Sequence, residues 1–453
     1  MNLDLIRKYN IPGPRYTSYP TVPFWKKDLF SLEEWLSSVK ETFRQTNKQE
    51  GISLYIHLPY CESLCTYCGC NKRITVNHNV EIPYIKAVLQ EWNLYLSLFE
   101  EKPLIKEIHL GGGTPTFFSP ENLKMLLDNI LKKSRTHKDY SFSFEAHPKN
   151  TSGEHLQTLF DLGFKRLSLG IQDFDAEVQK TVNRIQPYEM VEKVVNQARK
   201  TGYESVNFDL IYGLPKQTLA SVTDTIEKVN KLKPERIAFY SYAHVPWKSK
   251  SQRGYSETDL PVPEVKRQLY ETGKALFEAN GYVEIGMDHF ALPSDGLYQA
   301  FKTGNLHRNF MGYTSGKTSL LIGLGVSSIS ESNGAFAQNE KVVENYTDKL
   351  EKKELPITTG HILSEEDKII REGILDIMCR FETDLQKLMV AHENKSDIYD
   401  KLKIFEEDGL IYIENDFLKV TEKGRAFVRN ICMVFDKHLT RQNPTQPLFS
   451  STV

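Results

Sequence analysis

Four cysteines fall within ten residues, Cys61, Cys65, Cys68 and Cys70, in the stretch YIHLPYCESLCTYCGC. Three thiolates spaced Cys-x3-Cys-x2-Cys in a loop after a buried strand can hold three irons of a [4Fe-4S] cubane and leave the fourth iron without a protein ligand. An open iron is what inner-sphere electron transfer requires. A structural zinc knuckle is the competing reading, but structural zinc draws ligand pairs from two separated turns, and the chain has no second pair at such spacing. Cys70 becomes a fourth ligand only by distorting the loop, so it is expected beside the cluster, near the substrate. Cys379 and Cys432 stand alone in the apolar runs GILDIMCRF and RNICMVFD and read as small core residues.

GGGTP (111–115) follows a strand-like run and exposes backbone amides and carbonyls without side-chain obstruction, so a charged amino-acid moiety can approach closely. Glu145 ends an apolar run, where a carboxylate is costly unless partnered; hydrogen bonding to a ribose diol suits it. Arg184, in VNRIQ, has the fork geometry to pair with a carboxylate through two bonds.

These groups need a scaffold, and the chain between Ile52 and about Ala243 supplies a regular one. Strand candidates are 52–58, 105–110, 140–146, 165–171, 205–212 and 235–242; segments with helical spacing lie between them at 84–99, 120–133, 153–163, 187–202 and 220–232. Successive β-α units imply a parallel sheet with right-handed crossovers, either a partial barrel or a doubly wound sheet. Both gather ligands at the carboxyl ends of the strands. There the unusual residues fall: the cysteines after the first strand, GGGTP after the second, then Glu145, Gln172, Asp209 and Ala243-His244 in turn.

The remainder divides into an N-terminal extension (1–50) with GPRYTSYPT and a helix near 31–44, the barrel (51–280), a mixed region (281–360) and a helical C-terminal part (361–453). The last ends as helix, hairpin, helix, like a winged helix, with balanced charge. At 453 residues the chain exceeds one ordinary core. Its formal net charge of −2 argues against a general nucleic-acid binder, and no apolar run approaches the roughly 20 residues that cross a bilayer. The start lacks a secretory pattern, so a cytoplasmic protein is expected. No heptad pattern argues for assembly, so a monomer is expected.

The cysteine loop and GGGTP resemble the radical S-adenosylmethionine (SAM) superfamily. GPRYTSYPT, YIHLPYC, CGCNK, NFDLIYGLPKQT, GMDHFA, LHRNFMGYT and RNICMVFD resemble, in order and along nearly the whole chain, the oxygen-independent coproporphyrinogen III oxidases of bacterial haem biosynthesis. The resemblance implies a partial (β/α)6 barrel with an N-terminal extension and a mainly helical C-terminal domain. It also implies one [4Fe-4S] cluster, and SAM cleavage to a 5′-deoxyadenosyl radical. That radical takes a hydrogen atom from a propionate β-carbon of coproporphyrinogen III; loss of CO2 and one electron then leaves a vinyl group. Two such events give protoporphyrinogen IX, with an electron donor and an acceptor not identified by the sequence.

Carried across residue by residue, the resemblance implies that Tyr55, Gly111 or Gly112, Glu145 and Ile329 contact the cluster-bound SAM. Tyr67, Gly113, Thr114, Gln172, Arg184, Asp209 and Ala243 match positions that hold a second SAM molecule, and His57 and Cys70 match positions associated with activity. His147 in EAHP departs from the family's usual Asp. Because the substrate carries four carboxylates, Arg15, His307 and Arg308 are candidates for propionate binding, with Tyr16 and Tyr19 as wall or closing residues. Alternatives are a haem chaperone of the same family, which typically has Phe in place of Cys70; a haem-degrading radical methyltransferase; and a non-enzymatic iron–sulfur or zinc protein that binds a partner through its tail.

Overall fold

The computed structural model describes residues 3–247, 249–442 and 448–452. Strands β1 (Ile52–Leu58), β2 (Leu104–Gly112), β3 (Arg135–Ala146), β4 (Phe164–Gln172), β5 (Ser205–Tyr212) and β6 (Arg236–Ser241) lie side by side in sequence order, all parallel. A doubly wound sheet reverses its order at a switch point; these six strands do not, and the fold is a partial (β/α)6 barrel. β1 is buried along its whole length, the mark of a strand covered on both faces.

The helices between the strands start and stop on local chemistry. Ser119, Ser152 and Thr218 accept a backbone N–H as N-caps, and Gly202 ends the helix Tyr188–Thr201 in the left-handed conformation. Their apolar faces close a core that includes Leu126, Ile130, Val191, Val195 and Ile226.

Two strand boundaries differ from the sequence expectation. β3 begins at Arg135, not 140, because the polar stretch 135–139 pairs with Leu104 and Ile105 before a bulge. β2 runs through Gly111 and Gly112, which pair with His57 and Leu58. The 281–360 region extends the same sheet to twelve strands. Val283–Gly286 and His289–Ala291 join beyond β6. Beyond β1 come Leu321–Leu324, in parallel, and then the antiparallel Ile329–Glu331, Ala335–Asn339 and Ile357–Ile362.

One buried carboxyl ties this added edge to the barrel. Glu91 is fully buried and accepts from Gly325 N (2.8 Å), Asn339 Nδ2 (2.6 Å) and Tyr346 Oη (2.7 Å). Tyr84, on the same helix, donates to the His57 carbonyl and accepts from Val326 N. Burial pushes the Glu91 carboxyl up to about 7 despite those three donors. An unfolded glutamate titrates near ~4.3, so this group adds stability below that pH that is lost as pH rises through 7, by about 3 kcal/mol. Urea unfolding at pH 5 and pH 8 should show that extra loss in the wild type and not in Glu91→Gln.

The C-terminal region starts with the helix Glu365–Arg380, capped by Ser364, and holds a three-stranded sheet of Glu382–Asp384, Phe417–Val420 and Ile411–Glu414. Leu5, Tyr9, Tyr16 and Tyr19 are buried in the same cluster as Ile370, Ile374, Phe427 and Phe435. Arg429 holds this arrangement by donating to the carbonyls of Gly13, Pro14 and Ser451. The expected helix near 31–44 spans Leu32–Thr46, and a short helix at Leu3–Tyr9 is additional. Cys379 and Cys432 are both buried. Among the described residues, no helix is long and apolar enough to cross a membrane.

Candidate active site

Beyond β1 the chain turns into the cysteine loop, and contacts from three parts of the protein hold it. Its short segment Tyr60–Cys61 pairs with Arg73–Ile74; Arg73 N donates to Pro59 O at 2.8 Å and Thr75 N to Cys61 O at 2.9 Å. Thr66 N donates to Val182 O at 3.0 Å, and Asn183 Nδ2 to Leu64 O at 2.7 Å. From the segment after β6, Gln252 Nε2 reaches Tyr67 O (2.9 Å) and Ala243 O (3.2 Å), and Ser249 Oγ reaches Cys68 O (3.2 Å). Gln252, Ser249 and Asn183 were not singled out in the sequence: single polar residues in loops carry no periodicity or spacing that marks them.

Each thiol meets a different environment. Burial pushes the Cys61 thiol up to about 11, against a hydrogen-bond contact with Thr114 Oγ1 at 3.3 Å. Cys65 is buried, with Arg184 Nη1 at 3.5 Å and the Tyr67 hydroxyl against it. A hydrogen bond from Cys70 and the nearby Lys72 draw the Cys68 thiol down to about 6. Cys70 is solvent-exposed as a residue, and its thiol contacts that of Cys68.

The glycine edge of β2 lies against this loop. Gly112 has φ of 116°, and a Cβ there would stand 2.9 Å from the His57 ring; a Cβ on Gly113 would lie 2.5 Å from Pro59 O. The glycines therefore admit β1 and its following loop as well as leaving backbone open. Both ring nitrogens of His57 are engaged: Nε2–H donates to Asn71 O (2.9 Å), leaving Nδ1 to accept the Tyr55 hydroxyl (3.1 Å). Burial lowers the His57 pKa, which keeps the ring neutral. Ala at Gly112 should break this pair and destabilise the protein by about 1–3 kcal/mol, because it adds both strain and overlap. Gly69→Ala, where nothing lies within 4 Å, is the neutral control in thermal melts.

Farther round the barrel, Glu145, Gln172 and Asp209 line up on successive strands. Glu145 is half-exposed, with His109 Nε2 at 3.5 Å. Asp209 accepts from Ser168 Oγ and Asn207 Nδ2, both at 2.9 Å, and burial together with the Glu145 charge pushes its carboxyl up to about 6. Gln172 closes β4 with φ of 66°. Its amide and the Arg184 guanidinium both crowd Gly170; Arg184 Nη2 donates to Gly170 O at 2.6 Å. Ile329 begins its strand with its backbone against Gly323, the register partner of Tyr55. His147 caps the turn Pro148–Asn150 by accepting from Lys149 N at 3.1 Å, an N-cap role that an Asp also fills.

The substrate candidates separate into two groups. Arg15 pairs with Asp288 and lies over the Tyr240 ring. It lines a cavity of about 330 Å³ shared with Arg267, Lys274 and Arg429. Tyr240 itself lines a second cavity, of about 130 Å³, with Glu145 and Asp209. The Arg308 guanidinium is buried, donates to Arg15 O (3.1 Å) and covers Tyr313. His307, its neighbour on the strand His307–Asn309, points the other way and lines a separate cavity with Arg371 and Cys379. Tyr16 and Tyr19 are buried, bonded to Asp436 and to the Lys437 amide, so in this structure they pack the extension onto the C-terminal region. Asp288, Arg267 and Arg429 were not assigned a site role from sequence, although GMDHFA and RNICMVFD contain two of them.

Cys61, Cys65 and Cys68 lie on one loop, a donor set consistent with a [4Fe-4S] cluster that keeps one iron open. A cationic guanidinium at Cys65 matches the negative charge such a group brings. A parallel (β/α)6 barrel carrying this loop over its strand ends defines a radical SAM protein, and the Radical SAM superfamily profile matches residues 55–229. The chain is 40% identical to the oxygen-independent coproporphyrinogen III oxidase of Helicobacter pylori (strain J99), over 97% of each chain. It is 37% identical to that of Escherichia coli (strain K12), covering 100% of this chain and 98% of the relative. The solved structure titled coproporphyrinogen III oxidase (HemN) from Escherichia coli, a radical SAM enzyme, matches with a TM-score of 0.89 at 36% identity, covering 97% of this chain and 99% of the other. The chain belongs to the oxygen-independent coproporphyrinogen III oxidase family.

Proposed function

We propose that this protein converts two propionates of coproporphyrinogen III to vinyl groups by SAM-dependent oxidative decarboxylation, giving protoporphyrinogen IX. The observation that carries the reading is the convergence of Cys61, Cys65 and Cys68 with the glycine edge of β2 at one end of the barrel, under near-full-length likeness to enzymes of that name. When bound, the [4Fe-4S] cluster and SAM supply the single-electron chemistry that removes a hydrogen atom from a propionate β-carbon.

In this reading Cys61, Cys65 and Cys68 hold the cluster, and Arg184 balances its charge beside Cys65. Tyr55, Gly111, Gly112, Glu145 and Ile329 surround the cluster-bound SAM. Tyr67, Gly113, Thr114, Gln172, Arg184, Asp209 and Ala243 take a second SAM. His57, neutral and hydrogen-bonded through both nitrogens, positions Tyr55 and the end of the cysteine loop at Asn71. Cys70 stands at the opening beside Cys68, on the side from which substrate enters. Arg15 and Arg308 belong to the propionate-binding wall. Residues 51–280 and 281–360 form the catalytic unit, and 1–50 with 361–453 close over the substrate.

The test is anaerobic incubation with reductant, SAM and coproporphyrinogen III, with mass detection of two successive losses of CO2 and hydrogen. SAM cleavage without any change in the porphyrinogen would refute the substrate. No 5′-deoxyadenosine at all, with a cluster in place, would refute the chemistry.

A further inference from the structure

Far from the cysteine loop, at the opposite edge of the added sheet, three side chains from three chain segments converge. His361 belongs to the edge strand Ile357–Ile362, Asp367 to the first turn of the helix Glu365–Arg380, and His438 to the helix Lys437–Gln442. His361 Nε2 lies 3.0 Å from Asp367 Oδ2, and His438 Nε2 lies 2.7 Å from Asp367 Oδ1. Among the described residues this is the one group of three or more His, Cys, Asp or Glu whose ligand atoms all fall within 4.8 Å.

We propose that His361, Asp367 and His438 form a binding site for one divalent first-row metal ion, of the zinc or ferrous class, which fastens the C-terminal helix to the edge of the sheet. Ligands of a tetrahedral ion with bonds of about 2.1 Å stand about 3.4 Å apart; here each imidazole Nε2 lies at 3.0 Å or less from its own Asp367 oxygen, and the ligand atoms all fall within 4.8 Å. Two imidazoles and one carboxylate suit zinc or ferrous iron and leave coordination positions for water. The outer support that orients a metal-binding carboxylate is already built: Ser364 donates to Asp367 Oδ2 through its backbone N–H (3.1 Å) and its hydroxyl (2.9 Å).

The surroundings admit an ion. The two histidine side chains are about one-fifth exposed, so the site is reached from solvent while Asp367 is nearly enclosed. The nearby cations Lys437 and Arg441 are both paired with Glu366. The His438 ring packs edge-on against Tyr19, at 5.6 Å between centroids, so an ion fixing His438 also fixes the N-terminal extension. Hydrogen bonds alone can satisfy the triad when each Nε2 carries its proton; the ion-free clamp is therefore the rival that the experiment must exclude.

The full-length chain is freed of metal with a chelator and titrated with Zn2+ or Co2+, alongside His361→Gln/His438→Gln and Asp367→Asn. Glutamine still donates to Asp367 but does not replace an imidazole ligand, so the double variant is expected to stay folded. The wild type should bind one more equivalent of Zn2+ than either variant. The matching equivalent of Co2+ should give d–d absorption without the thiolate charge-transfer band that the cysteine loop produces. Zn2+ should raise the thermal midpoint of the wild type and leave that of the double variant unmoved. Equal Zn2+ uptake by all three chains, or uptake lost only on replacing Cys61, Cys65 and Cys68, overturns the proposal. None of these readouts depends on the decarboxylase activity.

Discussion

Cys65→Ala is expected to abolish the visible absorption of an iron–sulfur cluster after anaerobic reconstitution and to take SAM cleavage to background, whereas Cys70→Ala should retain both and lose product. The contrast follows from the loop. Cys65 is buried under Arg184 and Tyr67, in a turn closed by Cys68 N donating to Cys65 O at 3.2 Å. Cys65→Ala leaves two of the three expected ligand thiols, and two do not cradle a cubane. Cys70 is the informative partner, because its thiol contacts Cys68 and so stands close to ligand distance. Were Cys68→Ala to keep the cluster and Cys70→Ala to lose it, the ligand set would be 61, 65 and 70. Were all four needed, no iron would be left open for SAM, and a shift of the cluster's electron-paramagnetic signal on adding SAM would be absent.

Much of the barrel was readable in the sequence because its six strands are apolar, β-branched runs separated by helices of ordinary length. Their order was not readable, since hydrophobic patterning is the same for a barrel and a doubly wound sheet; only the pairing of each strand with its predecessor distinguishes them. The 281–360 strands were hidden for another reason. Most are three to five residues long, too short to show a period, and they exist because β1 and β6 each leave an edge to be covered. At the site, Cys61, Cys65, Cys68, Gly112, Glu145 and Asp209 were legible as chemistry at strand ends. What their neighbours do was not. His57 matches a position associated with activity, and its hydrogen bonds to Tyr55 and Asn71 are visible only in the structure. His307 and Arg308 were named together with Arg15 as partners for a substrate with four carboxylates; adjacent strand residues face opposite ways, so Arg308 reaches Arg15 while His307 lines a separate cavity. The metal-ligating triad lies on segments 361, 367 and 438, whose separation in sequence gives no spacing to recognise.

The second large effect is expected at Arg15, and a pair of substitutions decides what this residue does. Its guanidinium lies over Tyr240, which lines the smaller cavity with Glu145 and Asp209, and itself lines the larger one beside Arg267, Lys274 and Arg429. Its partner Asp288 is nearly buried, whereas Arg15 keeps about a third of its side chain exposed. Arg15→Met alone therefore confounds two losses, a carboxylate-binding cation and the countercharge of a buried acid. Arg15→Met with Asp288→Asn removes the second of these by leaving no charge behind. A hydrogen bond to a charged group contributes about 1.5–3 kcal/mol, so kcat/KM for coproporphyrinogen III should fall about 10- to 100-fold in the double variant, with KM carrying most of it. SAM cleavage in the absence of porphyrinogen should stay at the wild-type rate. If Arg15 only packs the N-terminal extension, the double variant recovers wild-type kcat/KM as its thermal midpoint recovers, and the cationic wall must then be sought in Arg267 and Lys274, which line the same cavity.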